Sequence, residues 1–288
     1  MPLPTSLNQY QFSFNGFSFG GTGSVYQIES VDGLEGLPSI RTQDDNRGYN
    51  DGMFSGQDFY GGRNISMVVL TFAGGGNSAQ TNFNLLQQNV IPQTTGTTSL
   101  QFQLSTTSDG LQVIYGRVRA RKATIDPEYT FGFIRAQIEF FCPDPTYFDN
   151  TLQSAVLAVS PALGRTYNRI YNLVYGGGSI VSSTSVVNAG WATTYPTITA
   201  NGPITNPIFG NATTGYYLSF TGTYTNTDSL VIDLYNKLIT LNGVSARNLL
   251  ASGNWFSAPA GTSLFYMTGT GTIPLTTSAT VTWRNAYI

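Results

Sequence analysis

The segment VIDLYNKLITLNGVSARNLLASGNWFSAPAG, residues 231–261, carries the signal from which the fold can be argued. From Val231 to Asn242, residues alternate with the period of two that is typical of β-strands. Asn and Gly tolerate positive φ, which a tight hairpin turn requires. The segment therefore predicts strands that reverse at residues 242–243. It ends in Trp255 and Phe256, a pair large enough to close one end of a β-sandwich.

The composition is typical of a β-protein assembled from short strands and tight turns. The chain has 288 residues, of which 32 are glycine, 13% are aromatic and only 10% are charged. This length exceeds the usual size of one domain, roughly 100 to 200 residues, and therefore predicts two domains. A monomer normally relies on a well-charged surface to stay dispersed, so the scarcity of charge predicts a surface shared with other subunits.

Charge is distributed unevenly along the chain. Residues 1–150 contain 8 basic and 13 acidic side chains, a net charge of −5, whereas residues 151–288 contain 5 and 2, a net charge of +3. Neither half is basic enough for sequence-independent binding to nucleic acid. The N-terminus lacks the basic and apolar regions of a signal peptide, and no stretch approaches the roughly 18 apolar residues of a membrane span. We therefore expect a protein made in the cytoplasm without membrane insertion.

Strand patterns recur along the first half of the chain. Residues 10–19 alternate as an amphipathic strand. Residues 65–72 are apolar on both faces, so we expect this strand to be covered on two sides. Asp109-Gly110 predicts a hairpin turn, and residues 130–142 predict a further strand.

One helix is predicted in the first half. Ser78 is a suitable N-cap, and the helix would run to about Gln88 before Pro92. Phe83, Leu85 and Leu86 would lie together on one side of it.

The prolines Pro143 and Pro145 mark a domain boundary. They predict an N-terminal domain of residues 1–148 and a C-terminal domain of residues 149–288. After an ambiguous stretch to about residue 170, short strands are separated by turn residues, beginning with NRIYNLVYGGG at 168–178. This spacing predicts a β-sandwich or jelly roll.

The residue inventory argues against catalysis. The chain has no histidine and a single cysteine, Cys142, which excludes histidine-based nucleophile systems and a zinc site. Cys142 follows Phe140 and Phe141, which predicts a small buried side chain. Carboxylates lie mostly in loops in the first half, and only Asp228 and Asp233 occur in the second. We expect no enzyme, no metal and no cofactor.

Three arginines, Arg117, Arg119 and Arg121, form the sharpest charged feature. On a regular strand they would project from one face, with Val118 and Ala120 on the other. This face could be solvated, could meet acidic loops of a neighbouring subunit, or could line a pore. Arginine suits a subunit contact because its planar guanidinium can hold a carboxylate through two hydrogen bonds.

Four aromatic residues of the second half, Trp191, Trp255, Phe256 and Trp283, have two interpretations. They could pack in the core of the domain. If they face solvent beside polar groups, they could instead provide a stacking platform for a sugar ring.

The opening segment and the C-terminal strand ATVTWRNAYI together resemble the C-terminal region of distal tail (Dit) proteins of long-tailed siphophages. In that family an Asn-Gly hairpin leads to a Trp-Phe or similar pair and to Pro-x-Gly, here Pro259 and Gly261. FNGFSFGG near the start, GGR at 61–63 and FFCPDP at 140–145 are similar to the N-terminal belt domain of the family. The similarity covers nearly the whole chain, and residues 149–200 match least well.

The resemblance implies a mainly β fold. An N-terminal split-barrel-like belt domain with one short helix would be followed by a C-terminal galectin-like β-sandwich, or jelly roll. The implied function is structural: a hexameric ring at the distal end of the tail of the virion, assembled in the host cytoplasm, with DNA passing through its lumen. The implied partners are further copies of the chain, the tail tube protein, tail-tip hub proteins, and receptor-binding or side-fibre proteins.

Two other classes of function stay open. The second half could be a host-glycan-binding module of a tail-associated protein, since function belongs to a site rather than to a fold. A glycan-cleaving enzyme would need two carboxylates at glycosidase separation in a cleft.

Overall fold

The chain divides into two compact, β-rich units. The computed structural model describes residues 6–105, 110–158, 182–270 and 276–288. Unit 1 comprises Met1–Thr151 with Ile288, and unit 2 comprises Leu152–Tyr287. Strands dominate the described residues of both units, so the prediction of a mainly β protein is confirmed. The predicted turn residue Asp109 and the predicted strand at 168–178 lie outside the described residues.

Unit 1 contains twelve strands and one α-helix among its described residues. The strands are β1 Gln11–Phe14, β2 Phe17–Gly20, β3 Tyr26–Asp32, β4 Ile40–Arg41, β5 Asp45–Asn46, β6 Met53–Phe54, β7 Phe59–Tyr60, β8 Arg63–Thr71, β9 Thr98–Gln103, β10 Gln112–Thr124, β11 Ile134–Cys142 and β12 Tyr147–Asp149. The helix is α1, Ala79–Asn89, and a 3-10 helix spans Pro127–Phe131.

An antiparallel sheet in the order β2-β1-β9-β10-β11-β8-β3 forms the body of unit 1. The long strand β10 links its two parts, because residues 112–116 pair with β9 and residues 117–124 pair with β11. β12 pairs with the start of β10. The sheets are open, and the described residues form no closed barrel. The domain expected to be split-barrel-like is therefore built on an open sheet.

The inner face of this sheet is apolar and aromatic. Ile65, Met67 and Val69 of β8 are buried at alternate positions. Phe14 and Phe140 pack with their ring centroids 5.2 Å apart. The outer residues of β8 are only partly buried in the single chain, so the expected second cover of this strand is incomplete.

Helix α1 begins where the sequence predicts. The side chain of Ser78 accepts a hydrogen bond from the backbone N–H of Thr81 at 3.2 Å, which satisfies one of the free donors of the first turn. Of the three residues predicted to share one side, Phe83 and Leu86 are buried, whereas Leu85 is exposed and Asn82 is buried. Asn82 can be buried because its amide donates to the backbone oxygens of Phe72 and Gly74 at 3.0 and 3.1 Å.

Unit 2 contains only strands and one 3-10 helix, Arg247–Leu249, among its described residues. The strands are β13 Gln153–Ala158, β14 Ser182–Asn188, β15 Thr197–Asn201, β16 Ile204–Thr205, β17 Ile208–Asn211, β18 Tyr216–Phe220, β19 Thr223–Tyr224, β20 Ser229–Asp233, β21 Leu238–Leu241, β22 Val244–Ser245, β23 Leu250–Gly253, β24 Gly261–Thr268, β25 Ser278–Trp283 and β26 Ala286–Tyr287.

Two antiparallel sheets enclose the core of unit 2. One has the order β13-β25-β15-β20-β21-β22 and the other β14-β24-β17-β18-β23. Ile232 and Val281 of the first sheet join Phe209 and Phe265 of the second in one buried cluster. This arrangement is a β-sandwich, in which alternate residues of each strand face the partner sheet.

The hairpin predicted at residues 242–243 is confirmed. Asn242 and Gly243 have φ values of 52° and 80°, and Leu241 pairs with Val244 across the turn. Positive φ at both central positions gives the strands the twist that a tight hairpin requires. Phe256 is buried in the sandwich, with its ring centroid 5.5 Å from that of Phe265.

Two adjacent residues of β13 provide a test of this core. Leu157 is 0% exposed, whereas Val156 is 55% exposed. We expect Leu157→Ala to lower the free energy of unfolding by about 2 to 5 kcal/mol, because it leaves a cavity. Val156→Ala should cost less than about 1 kcal/mol. Urea unfolding followed by tryptophan fluorescence reports on unit 2, which holds all three tryptophans. Equal losses for the two variants would contradict the sandwich.

Candidate assembly surface

An exposed antiparallel ribbon, residues 39–60, extends from unit 1 between β3 and β8, and we call it the arm. β4 pairs with β7 and β5 pairs with β6. Every residue from 39 to 60 is exposed, so the arm contains no core of its own. It nevertheless carries large apolar side chains: Ile40, Tyr49, Met53, Phe54, Phe59 and Tyr60. An isolated two-stranded ribbon is marginal in water, so these side chains favour contact with another surface.

The arm combines apolar rings with charge. Arg41 lies over the ring of Phe59 at 5.5 Å, and Arg47 lies over the ring of Phe54 at 5.1 Å. Four aspartates, at positions 44, 45, 51 and 58, exceed these two arginines, so the arm has a net charge of −2.

A buried arginine, Arg63, holds the root of the arm, residues 61–63, in place. Its side chain is 1% exposed, and its Nε donates to the backbone oxygen of Pro145 at 3.1 Å. Its Nη1 donates to the backbone oxygens of Gly33 at 3.1 Å and Gly36 at 2.6 Å, and also to that of Leu34. Burial lowers the pKa of Arg63 from its usual value, yet an arginine remains protonated. The sequence singled out GGR only as a motif and did not predict this role.

The three arginines of β10 do not share one face, so the expected alternation is wrong. The pairing with β11 shifts between Val118 and Ala120, which inserts Arg119 as an extra residue in the strand. Arg121 consequently pairs opposite Ile138, which is buried, whereas Arg117 pairs opposite Phe141.

Arg117 and Arg119 remain together because both contact Phe141. Their guanidinium carbons lie 5.9 and 3.4 Å from the centre of its ring. The same ring packs against the arm root, since a Cβ at Gly62 would lie 2.7 Å from it. Only glycine therefore allows this close approach. The arm root and the arginine pair form one continuous region of unit 1.

Arg121 has a structural task at the end of α1. Its Nη1 donates to the backbone oxygens of Gln87 at 2.6 Å and Val90 at 2.7 Å. These carbonyls would otherwise lack partners at the helix C-terminus, where a cation also interacts favourably with the helix dipole. Arg121 is thus committed to the fold of its own chain.

A polar groove adjoins Arg119 on the outer face of the sheet. It is lined by Asp32, Asn64, Ile65, Ser66, Arg119, Gln137, Glu139 and Phe140. Lys122 forms an exposed ion pair with Glu139 at 3.3 Å. The amide of Gln137 donates to the hydroxyl of Ser66 at 2.9 Å. The groove contains both signs of charge, unlike a surface for phosphate binding.

A second ion-pair cluster braces the turn before β11. Arg135 donates from Nε to Glu29 at 2.9 Å and from Nη1 to Glu128 and, at 3.5 Å, Asp126. The hydrogen bonds to Glu29 and Glu128 raise the pKa of Arg135 above its usual value.

Cys142 is buried, as the sequence predicts. Burial raises the pKa of its thiol to about 12, with a small opposing contribution from Arg63. This pKa lies above that of the unfolded chain, about 9. The thiol therefore contributes stability that is complete below pH 9 and is lost as the pH rises toward 12.

We expect Cys142 to resist a thiol reagent in the native protein at pH 8, because the thiolate is the reactive form. One equivalent should react after unfolding in guanidinium chloride, as the absorbance of released thionitrobenzoate would show. A Cys142→Ser variant gives the blank. Stoichiometric reaction of the native protein during mixing would contradict this burial.

The four aromatic residues proposed from sequence do not form one platform. Phe256 and Trp283 are buried, and the indole of Trp283 donates to the backbone oxygen of Val187 at 2.9 Å. Trp255 packs partly against the core, and Arg247 lies 5.3 Å over its ring. Trp191 is 64% exposed.

In the described ranges, no group of three or more His, Cys, Asp or Glu side chains is placed to hold a metal ion. No helix of the described chain is long and apolar enough to span a membrane.

Comparisons with known proteins show a family match for the C-terminal part of the chain and a similar fold for the whole chain. Residues 189–287 match the family described as siphovirus-type tail component, C-terminal domain. The fold is similar to that of the Dit protein (gp 19.1) of phage SPP1, with a TM-score of 0.66 and 14% identity, over 97% of this chain and 99% of that chain. That protein is described as a paradigm of the hub adsorption apparatus in phages that infect Gram-positive bacteria.

A chain of the phage P2 baseplate, in its activated conformation with calcium, is also similar. The TM-score is 0.50 and the identity 12%, over 96% of this chain and 98% of that chain. No curated protein matches the chain. The predicted resemblance to the distal tail (Dit) proteins of siphophages is thereby confirmed, in sequence for the C-terminal domain and in fold for the whole chain.

Arg117 and Arg121 of β10 have different environments, so they give a matched pair of substitutions. Arg121→Met should lower the free energy of unfolding by about 1 to 3 kcal/mol, because two helix carbonyls lose a charged donor. Arg117→Met, at a half-buried position that donates one long hydrogen bond, 3.3 Å, to the backbone oxygen of Thr94, should cost less than about 1 kcal/mol. Thermal unfolding followed by circular dichroism compares the two, and a larger loss for Arg117→Met would reject the assignment.

Proposed function

We propose that this protein is a structural hub component of a siphophage tail tip, in which six copies close into a ring that continues the tail tube. The observation that carries the proposal is the arm, a run of exposed residues rich in large apolar side chains without a core. The family match of residues 189–287 and the Dit fold support a location at the distal end of the tail.

A second copy of the chain is the occupant that best fits the arm. The arm has a surplus of aspartates, whereas Arg117 and Arg119 present cationic groups beside the arm root. Carboxylates of one copy can therefore meet guanidinium groups of the next. Arg121 takes no part in this contact because it is bonded to α1.

The contact joins two different patches of the same unit. Such a head-to-tail interface generates a ring when its rotation closes. A closed ring of six, formed by the domain of residues 1–148, follows from the resemblance to Dit proteins. The domain of residues 149–288 then carries the family-typical sandwich.

The ring would let DNA pass through its lumen during ejection. The net charge of −5 over residues 1–150 suits this role, because a strongly basic lumen would retain the phosphate backbone. The tail tube protein and the tail-tip hub proteins are the proposed neighbours along the tail, with receptor-binding or side-fibre proteins as further partners. The role is architectural, without catalysis or a cofactor, and assembly takes place in the host cytoplasm.

Charge reversal tests the ring. Arg117→Glu with Arg119→Glu should convert hexamers to smaller species in native mass spectrometry, because carboxylates would then face carboxylates. Adding lysines at the four arm aspartates in the same chain should restore the hexamer. Lys237→Glu, at an exposed turn of unit 2, is the control and should leave the hexamer intact.

Negative-stain microscopy of the same samples gives an independent result. The wild type and the control should show rings, and the double variant should not. A wild-type protein that is monomeric at micromolar concentration, or a double variant that still forms hexamers, would reject the proposal.

A further inference from the structure

The outer face of the five-stranded sheet of unit 2 is a surface with an unusual composition. Phe209, Leu218 and Phe265, on β17, β18 and β24, point into the sandwich core, so the residues next to each of them along its strand point outward. Tyr266 pairs with Gly210, and Gly210 pairs with Tyr217, which places these three residues side by side on the outer face.

The ring of Tyr266 lies directly over Gly210. A Cβ at position 210 would approach the Tyr266 ring and hydroxyl to 2.6 Å, so a residue larger than glycine would displace the ring. Burial raises the pKa of Tyr266, and nearby Tyr217 raises it further. The two tyrosines therefore flank Gly210 and form one aromatic strip across three strands.

A small pocket continues the strip at the start of β18. It is lined by Gly215, Tyr216, Tyr217, Gly253 and Asn254. The backbone N–H of Asn254 donates to the backbone oxygen of Tyr217 at 2.9 Å, which fixes the position of both residues. Within the part of the chain that the structure describes, the Asn254 amide and the Tyr217 hydroxyl make no hydrogen bond. Two polar groups beside an exposed ring are thus available to a ligand.

This sheet carries no formal charge. The five strands β14, β17, β18, β23 and β24 contain no Asp, Glu, Lys or Arg. The face instead presents serines, including Ser183 opposite Tyr266 and Ser252 opposite Ser219. A neutral face of this kind offers nothing to phosphate groups or to an acidic or basic protein surface.

Packing of Tyr266 over Gly210 by itself would stabilise the sheet, as aromatic residues do beside glycine in strands. It does not account for Tyr217, which remains 42% exposed, or for the unbonded amide of Asn254. An aromatic face combined with neutral hydrogen-bonding groups is complementary to a polyhydroxylated ring.

We propose that this face binds a neutral saccharide, with a sugar ring stacked on Tyr217 and Tyr266 and its hydroxyl groups bonded to the Asn254 amide. The site is separate from the tryptophans considered from the sequence. It goes beyond the proposed tail-hub function and does not rest on it, because the face lies wholly within unit 2.

The full-length protein should bind at least one member of an array of neutral oligosaccharides built from glucose, galactose, rhamnose and N-acetylglucosamine. For the tightest of these, Tyr217→Ala should raise the Kd about tenfold, because the stacking surface is lost. Asn254→Ala should raise the Kd several-fold, since only its side-chain amide is removed. Isothermal titration calorimetry measures both changes.

Controls separate binding from folding and assembly. Tyr235→Ala, an exposed tyrosine in the turn between β20 and β21, should leave the Kd unchanged. Each variant should show the wild-type melting temperature. Native mass spectrometry of the same samples reports the ring separately, so loss of one function does not imply loss of the other.

Three results would overturn the saccharide site. The first is no binding of any neutral oligosaccharide at millimolar concentration. The second is binding that Tyr217→Ala and Asn254→Ala leave unchanged. The third is binding only to poly(glycerol phosphate), a charged polymer tested alongside the array, which would place the ligand site elsewhere.

Discussion

The proposed assembly surface depends on the buried guanidinium of Arg63. Burial of an unpaired charge is costly unless hydrogen bonds replace the lost water, and here four backbone oxygens from two segments of the chain accept them. These bonds tie β8 to residues 33–36 and to Pro145. Since the arm has no buried residue between positions 39 and 60, its direction is determined at this root.

The arm and the arginine pair share a support. Phe141 packs closely against Gly62 at the arm root and also carries Arg117 and Arg119. The arginine pair, which can donate hydrogen bonds, and the arm, whose aspartates can accept them, are therefore held in a fixed relation within one unit. This is the geometry that a head-to-tail assembly needs, because each copy must present both patches in the same orientation.

Unit 2 shows why a fold does not specify a function. Both sheets of its sandwich contribute to one core, and the strand pattern that builds this core leaves the outer face free to vary. On the five-stranded sheet that face is neutral and aromatic rather than charged. The packing of Tyr266 over Gly210 accounts for one of these aromatic residues. It does not account for exposed Tyr217, which favours a ligand.

The sequence by itself determined the features that local chemistry controls. Positive φ at Asn242-Gly243 requires a turn, Ser78 caps a helix wherever a helix follows, and Cys142 among phenylalanines is buried in a strand. Only the tertiary structure decided the site. The extra residue at Arg119 places Arg121 on the side of the helix. Arg63 can be buried because distant segments of the chain supply the acceptors of its hydrogen bonds. Strand register and long-range acceptors depend on which segments meet, and periodicity along one strand does not contain that information.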